Sequence, residues 1–149
     1  MGSETKVDVQ STKRGGEERK EQGSARSLAP AERELLCLAG ERLIREGQYA
    51  DAIQIFELLV EADPADAAYH RRLGVCRAQA GMLASAEIAL DRAIELESLD
   101  GEALVTRAWV RVQRGNKAGA VHDLKAAGPT PTGSESELAR RVEQSLRDG

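Results

Sequence analysis

Two cysteines and two histidines are the side chains in this 149-residue sequence best suited to nucleophilic, redox or metal chemistry. A metal site needs several Cys or His at short, regular spacings, and a thiol nucleophile needs an imidazole base beside it. Cys37 and Cys76 have no metal-ligand spacing, and each sits inside an apolar helical pattern. That is the setting of two reduced, packing thiols in a cytoplasmic protein. His70 and His122 have no carboxylate or thiol partner at catalytic spacing. No Ser-His-Asp set, glycine-rich phosphate loop or metal cluster is visible. The sequence therefore reads as a non-enzyme that needs no metal and no cofactor.

Composition removes further classes. Aromatics make up 3% of the chain, namely Tyr49, Phe56, Tyr69 and Trp109. Single-stranded nucleic-acid surfaces need more stacking platforms than that. The formal net charge of −4 also argues against a phosphate-backbone binder. No apolar run approaches the roughly 18 residues of a membrane span, and residues 1–29 hold no apolar stretch of the signal-peptide kind. Met1-Gly2-Ser3 is too little to carry a myristoylation signal. Residues 1–29 mix Glu4, Asp8, Glu17, Glu18 and Glu21 with Lys6, Lys13, Arg14, Arg19, Lys20 and Arg26. Val7, Val9 and Leu28 are their only large aliphatics. Such a segment buries too little apolar surface to offset its ordering entropy, so a disordered tail is expected. A segment that orders on a partner is the alternative.

The elements that must position any site begin at Pro30, which suits a first helical turn. Leu35, Leu36, Leu38, Ala39 and Leu43 then recur at helical spacing, as do Ala52, Ile53, Ile55, Phe56, Leu59 and Val60. No alternating run appears, so residues 30–149 are expected to be all α. The pattern repeats every 34 residues. Gly47, Gly81 and Gly115 form one column; Ala52, Ala86 and Ala120 another. Phe56, Leu90 and Leu124 form a third, Leu59, Ala93 and Ala127 a fourth, and Gly40, Gly74 and Ala108 a fifth. The first glycine column ends the first helix of each unit, where a left-handed turn residue is needed. Small residues at 40, 74 and 108 let paired helices approach closely. The Phe56 column is expected to fill space between units, and Asp100 to cap a helix.

These residues resemble the tetratricopeptide repeat family. Gly40, Tyr49, Ala52, Phe56 and Pro64 match its pattern in the first unit, Leu73-Gly74, Ala86 and Ala93 in the second, and Ala120, Leu124 and Ala127 in the third. His70 departs from a large apolar position, Arg77 and Arg111 from an aromatic one, and Ser98 from the proline. Arg71, Arg77 and Arg111 are expected to be solvated or capping charges. The resemblance implies three helical hairpins at about 33–66, 67–100 and 101–130, coiled into a right-handed superhelix. A capping helix follows at about 134–147. There Ser134-Glu135-Ser136-Glu137 reads as a capping box, and Leu138, Val142 and Leu146 form one apolar stripe. Arg140, Arg141, Glu143 and Arg147 are expected to face away from it.

In that family the first helix of each pair lines a concave groove. The corresponding positions here are Glu34, Cys37, Glu41 and Ile44 in the first unit. They are Ala68, Arg71, Val75 and Ala78 in the second, and Glu102, Val105, Trp109 and Val112 in the third. The peptide-binding residues this implies are Cys37, Glu41, Ile44, Arg71, Val75, Ala78, Val105, Trp109 and Val112. Trp109 is open to two readings, a groove anchor or inter-helix packing. The carboxylate clamp of one branch of the family needs Lys at position 37 and Asn at 41, and Cys37 and Glu41 stand there instead. An apolar trough with sparse charge suits an extended peptide.

A narrower resemblance rests on Gly47-Gln48-Tyr49-Ala50-Asp51-Ala52 with Phe56, on Leu73-Gly74-Val75-Cys76-Arg77 with Gly81, and on Leu138-Ala139-Arg140-Arg141-Val142. These stretches are similar to the class II chaperones of type III secretion systems. The resemblance implies a chaperone that holds an extended hydrophobic segment of a translocator before export, through a short motif of spaced Pro and Leu. It implies a protein client and neither nucleic acid nor membrane insertion. That group lines its groove with aromatics where Cys37, Glu41 and Ile44 stand here. Its N-terminal extension often helps form a homodimer, which the polar residues 1–29 do not promise. A general repeat scaffold for complex assembly outside secretion is the alternative.

Overall fold

The computed structural model describes residues 27–129 and 134–149. Among them the chain forms seven helices and no strand. These are α1 (Pro30–Arg45), α2 (Tyr49–Ala62), α3 (Ala67–Gln79), α4 (Leu83–Leu96), α5 (Gly101–Gln113), α6 (Lys117–Ala127) and α7 (Ser134–Asp148). Helices α1/α2, α3/α4 and α5/α6 pack as antiparallel pairs, and the pairs stack through α2 on α3 and α4 on α5. The first helices of the second and third pairs, α3 and α5, also touch directly. The expected tail lies outside the described residues up to position 26. Its last residues belong to the folded body, because Leu28 packs on the first core cluster and the Ala29 N–H donates to Glu32 Oε1 at 2.8 Å.

The 34-residue period is a repeat of turn chemistry. Gly47, Gly81 and Gly115 have φ of 74°, 82° and 84°. After each glycine the next amide reaches back to close the helix: Gln48 N to Leu43 O at 2.8 Å, Met82 N to Arg77 O at 2.8 Å, and Asn116 N to Arg111 O at 2.7 Å. This 6→1 bond with a left-handed glycine satisfies carbonyls the helix end would otherwise orphan. Asp66 Oδ1 starts α3 by accepting from Ala68 N at 2.9 Å, and Asp100 Oδ1 starts α5 by accepting from Ala103 N at 3.1 Å.

The small-residue column sets the helix approach. A Cβ on Gly40 would lie 2.6 Å from the Phe56 ring, and one on Gly74 would lie 2.6 Å from Leu90 Cγ. Phe56 and Leu90, both fully buried, therefore fill space within their own hairpins as well as between units, Phe56 clustering with Leu73 and Cys76 of the second pair and Leu90 with Ala103 and Val110 of the third. The apolar stripe of α1 also divides. Leu36, Cys37, Leu43 and Ile44 pack on the core, whereas Leu35 and Leu38 stay exposed because α1 has a neighbouring pair on one side only.

The closing helix departs from the stacking rule. It packs mainly on α5 and makes only slight contact with α6. Val142 is fully buried in a cluster with Ala108 and Ala120, with Trp109, Val112, Leu124 and Leu146 against it. The side chains of Ser134 and Glu135, half of the expected capping box, lie outside what is described.

Candidate functional site

Helices α3, α5 and α7 enclose a cleft of about 260 Å³. Val75, Ala78 and Gln79 of α3 form one wall, Glu102, Thr106 and Trp109 of α5 the floor, and Glu137, Leu138 and Arg141 of α7 the other wall. Each set recurs at three- and four-residue spacing, so each is one stripe of its helix turned toward the cleft. The volume is below the usual range for a small-molecule pocket and suits one or two side chains of a larger partner.

A chain of ion pairs crosses the three pairs beside this cleft. Arg72 Nε lies 2.5 Å from Glu41 Oε2, and Arg72 Nη1 lies 3.3 Å from Glu102 Oε1. Arg71 Nη1 lies 2.7 Å from Asp100 Oδ2. Arg71 Nε sits 3.1 Å from Glu102 Oε1 but is not aligned to hydrogen-bond, which leaves that buried N–H without a partner. Burial lowers the Arg71 pKa, but the hydrogen bond and charge of Asp100, with Glu102 and Glu41, outweigh it and hold the guanidinium above its usual value. Burial also raises the Cys37 thiol, and the nearby Glu41 carboxylate adds to the effect.

The expected groove residues separate into groups. Val75, Ala78 and Trp109 line the cleft, although Ala78 is only 3% exposed. Trp109 satisfies both readings, because it lines the cleft while packing against two core clusters. Val105 is a correction: it is 0% exposed and offers a peptide nothing. Val112 is half-buried against the cluster beneath α7. The reason is common to both. Helices α3, α4, α6 and α7 flank α5, so that on its cleft side Glu102 and Trp109 are half-open while Thr106 between them is only 5% exposed. Cys37 and Ile44 are half-buried against the first core cluster. Glu41 and Arg71 are engaged by the ion-pair chain, so Arg71 is a tie between repeats and not a solvated charge.

Sequence reasoning missed Thr106, Gln79, Glu137, Leu138 and Arg141. The first was visible as the i+4 member between Glu102 and Trp109. Arg141 was expected to face away from the fold, yet it stands on the cleft wall, since Val142 must turn inward onto α5 and places its neighbour at the edge.

The remaining titratable groups hold structure. Asp123 of α6 is 0% exposed and accepts from Arg107 Nε at 3.0 Å, Arg107 Nη2 at 2.7 Å and Arg111 Nη1 at 3.0 Å. Arg107 also reaches Asp91 at 2.8 Å. Arg111 reaches Glu87 at 2.8 Å, as does Arg114 at 2.7 Å. Arg77 bridges α3 to Glu57 of α2 at 3.1 Å. The arginines at the family's aromatic positions are thus inter-helix ties and not surface charges. His70 is buried, with Nε2 2.8 Å from Pro64 O. Burial pushes the Cys76 thiol up to about 11, which makes it a poor nucleophile. Among the described residues no three His, Cys, Asp or Glu side chains come together to hold a metal ion. No described helix is long and apolar enough to cross a membrane. Among the described residues these groups tie helices together and form no catalytic constellation.

The tetratricopeptide repeat family model matches residues 43–108. No curated protein matches the sequence. Among solved structures, PcrH in complex with the chaperone binding region of PopD is 25% identical, with a TM-score of 0.71 and coverage of 83% of this chain and 94% of that one. PcrH from Pseudomonas aeruginosa is also 25% identical, with a TM-score of 0.69 over 83% of this chain and 95% of that one. The Yersinia enterocolitica type III secretion translocator chaperone SycD shares the fold at 23% identity, with a TM-score of 0.67 over 80% of this chain and 91% of that one. The repeat match and the near-complete coverage of these chains agree: this is a tetratricopeptide-fold protein whose structure closely matches the class II translocator chaperones of type III secretion.

Proposed function

We propose that the chain is a secretion chaperone of the cytoplasm that holds an extended hydrophobic segment of a translocator on its inner face before export. The observation that carries this is the likeness to PcrH bound to the chaperone binding region of PopD, which spans nearly all of that chain. The cleft supports it. An apolar lining of Trp109, Val75, Ala78 and Leu138, edged by polar groups, suits a peptide that anchors aliphatic side chains and leaves its backbone near solvent. The ion-pair chain through Glu41, Arg72, Glu102 and Arg71 fixes the helices that form the inner face, so little ordering is left for binding to supply. A tail of residues 1–29 that orders on the client, and a homodimer, are compatible with this role.

The test is co-expression with a candidate translocator, followed by pull-down. Val75→Glu and Trp109→Glu each place a desolvated charge in the cleft and are expected to reduce capture at least tenfold. Circular dichroism at 222 nm checks that each variant stays folded. Undiminished capture by both folded variants excludes the cleft as the client site.

A further inference from the structure

The charges around the cleft are unequally engaged. Glu102 is met by Arg71 at 3.1 Å and Arg72 at 3.3 Å. Glu137 is met by Arg140 at 2.6 Å. Arg141 shares the cleft wall with Leu138 and is exposed, yet among the described residues no carboxylate meets it within ion-pair distance. A guanidinium at the edge of an apolar pocket, with the neighbouring acids already neutralised, is a donor fork awaiting a planar anion. Trp109 and Leu138 beside it supply the apolar contact that a neighbouring side chain would take.

We infer that Arg141 selects the client: the bound segment places an aliphatic side chain on Trp109 and Leu138 and an Asp or Glu next to it on the Arg141 guanidinium. This rests on the proposed peptide-holding role of the inner face and specifies the chemistry of its occupant. The closing helix is then a specificity wall as well as a cap. A basic residue in the same place would meet the Arg141 guanidinium and be disfavoured.

The experiment uses the full chain and three fluorescein-labelled twelve-residue peptides. Each carries a central Leu flanked on both sides by Asp, by Ser or by Lys, in an otherwise identical background. Fluorescence polarisation is expected to rank them Asp, Ser, Lys, with about threefold between neighbours, the worth of an ion pair at a half-open rim. Arg141→Glu is expected to reverse the ranking. Arg147→Glu makes the same charge change on α7 away from the cleft and is expected to preserve it. Equal affinities for the three peptides, or a ranking that survives Arg141→Glu, overturn the assignment while leaving the peptide-holding role intact. Failure of all three peptides to bind the unaltered chain overturns that role, and this inference with it.

Discussion

Removing the Asp123 carboxylate tests whether buried charge, and not apolar packing alone, locks the last hairpin. Asp123 is 0% exposed and accepts three hydrogen bonds of 2.7–3.0 Å from Arg107 and Arg111. Deleting one member of a buried pair costs about 3–5 kcal/mol when the other is stranded. Here neither guanidinium is stranded, because Arg107 keeps Asp91 and Arg111 keeps Glu87. Asp123→Ala is therefore expected to cost less than that, about 2–3 kcal/mol. In a domain of this size that is roughly a 10 °C fall in Tm. Asp91→Ala is the internal control: its side chain is 44% exposed and Arg107 retains Asp123, so the loss should stay below about 1 kcal/mol. Urea and thermal unfolding followed at 222 nm measure both. If Asp123→Ala lies within about 1 kcal/mol of the unaltered protein, or if Asp91→Ala costs as much, the carboxylate is not what holds the hairpin.

Gly74→Ala would drive a Cβ to 2.6 Å from Leu90 Cγ and is expected to cost about 1–3 kcal/mol; the same unfolding assay should show Leu90→Ala partly restoring stability to the double variant, and full additivity would contradict the close approach. Glu87 supplies the pH dependence. Burial raises its pKa, but hydrogen bonds from Arg111 and Arg114 outweigh that and hold it below its ordinary 4.5. Its contribution is therefore complete above about pH 4.5 and lost as pH falls through the lower folded value. The Tm gap between the unaltered protein and Glu87→Gln should shrink between pH 6 and pH 3, and a constant gap would remove Glu87 from the acid response.

The repeat was legible because its determinants are local. A left-handed glycine, a small residue facing Phe56 or Leu90, and an Asp cap each act within one hairpin, so spacing alone exposes them. Exposure at the third repeat was not legible. Whether Val105 or Thr106 faces the cleft depends on how α7 lies on α5, and the apolar stripe Leu138, Val142 and Leu146 says only that α7 must cover something. The ion pairs were hidden for a related reason. Arg111 was expected to be a solvated or capping charge, and only the stacking of α4, α5 and α6 brings it with Arg107 and Asp123 to one buried point.

That stacking also bears on binding. The first helices are tied across repeats by Arg71 and Arg72, and the second helices are tied to them by Arg77, Arg107 and Arg111. Each arginine spans at least two helices, so the hairpins cannot rotate against one another without breaking several pairs together. A surface held in that way is preformed, and most of the entropy of complex formation then falls on the extended partner. In the proposed role, selectivity then comes from the few side chains that reach the cleft surface. Val75, Trp109, Gln79, Leu138 and Arg141 are the cleft groups exposed enough to supply it, and three of the five lay outside the positions that repeat register alone picks out.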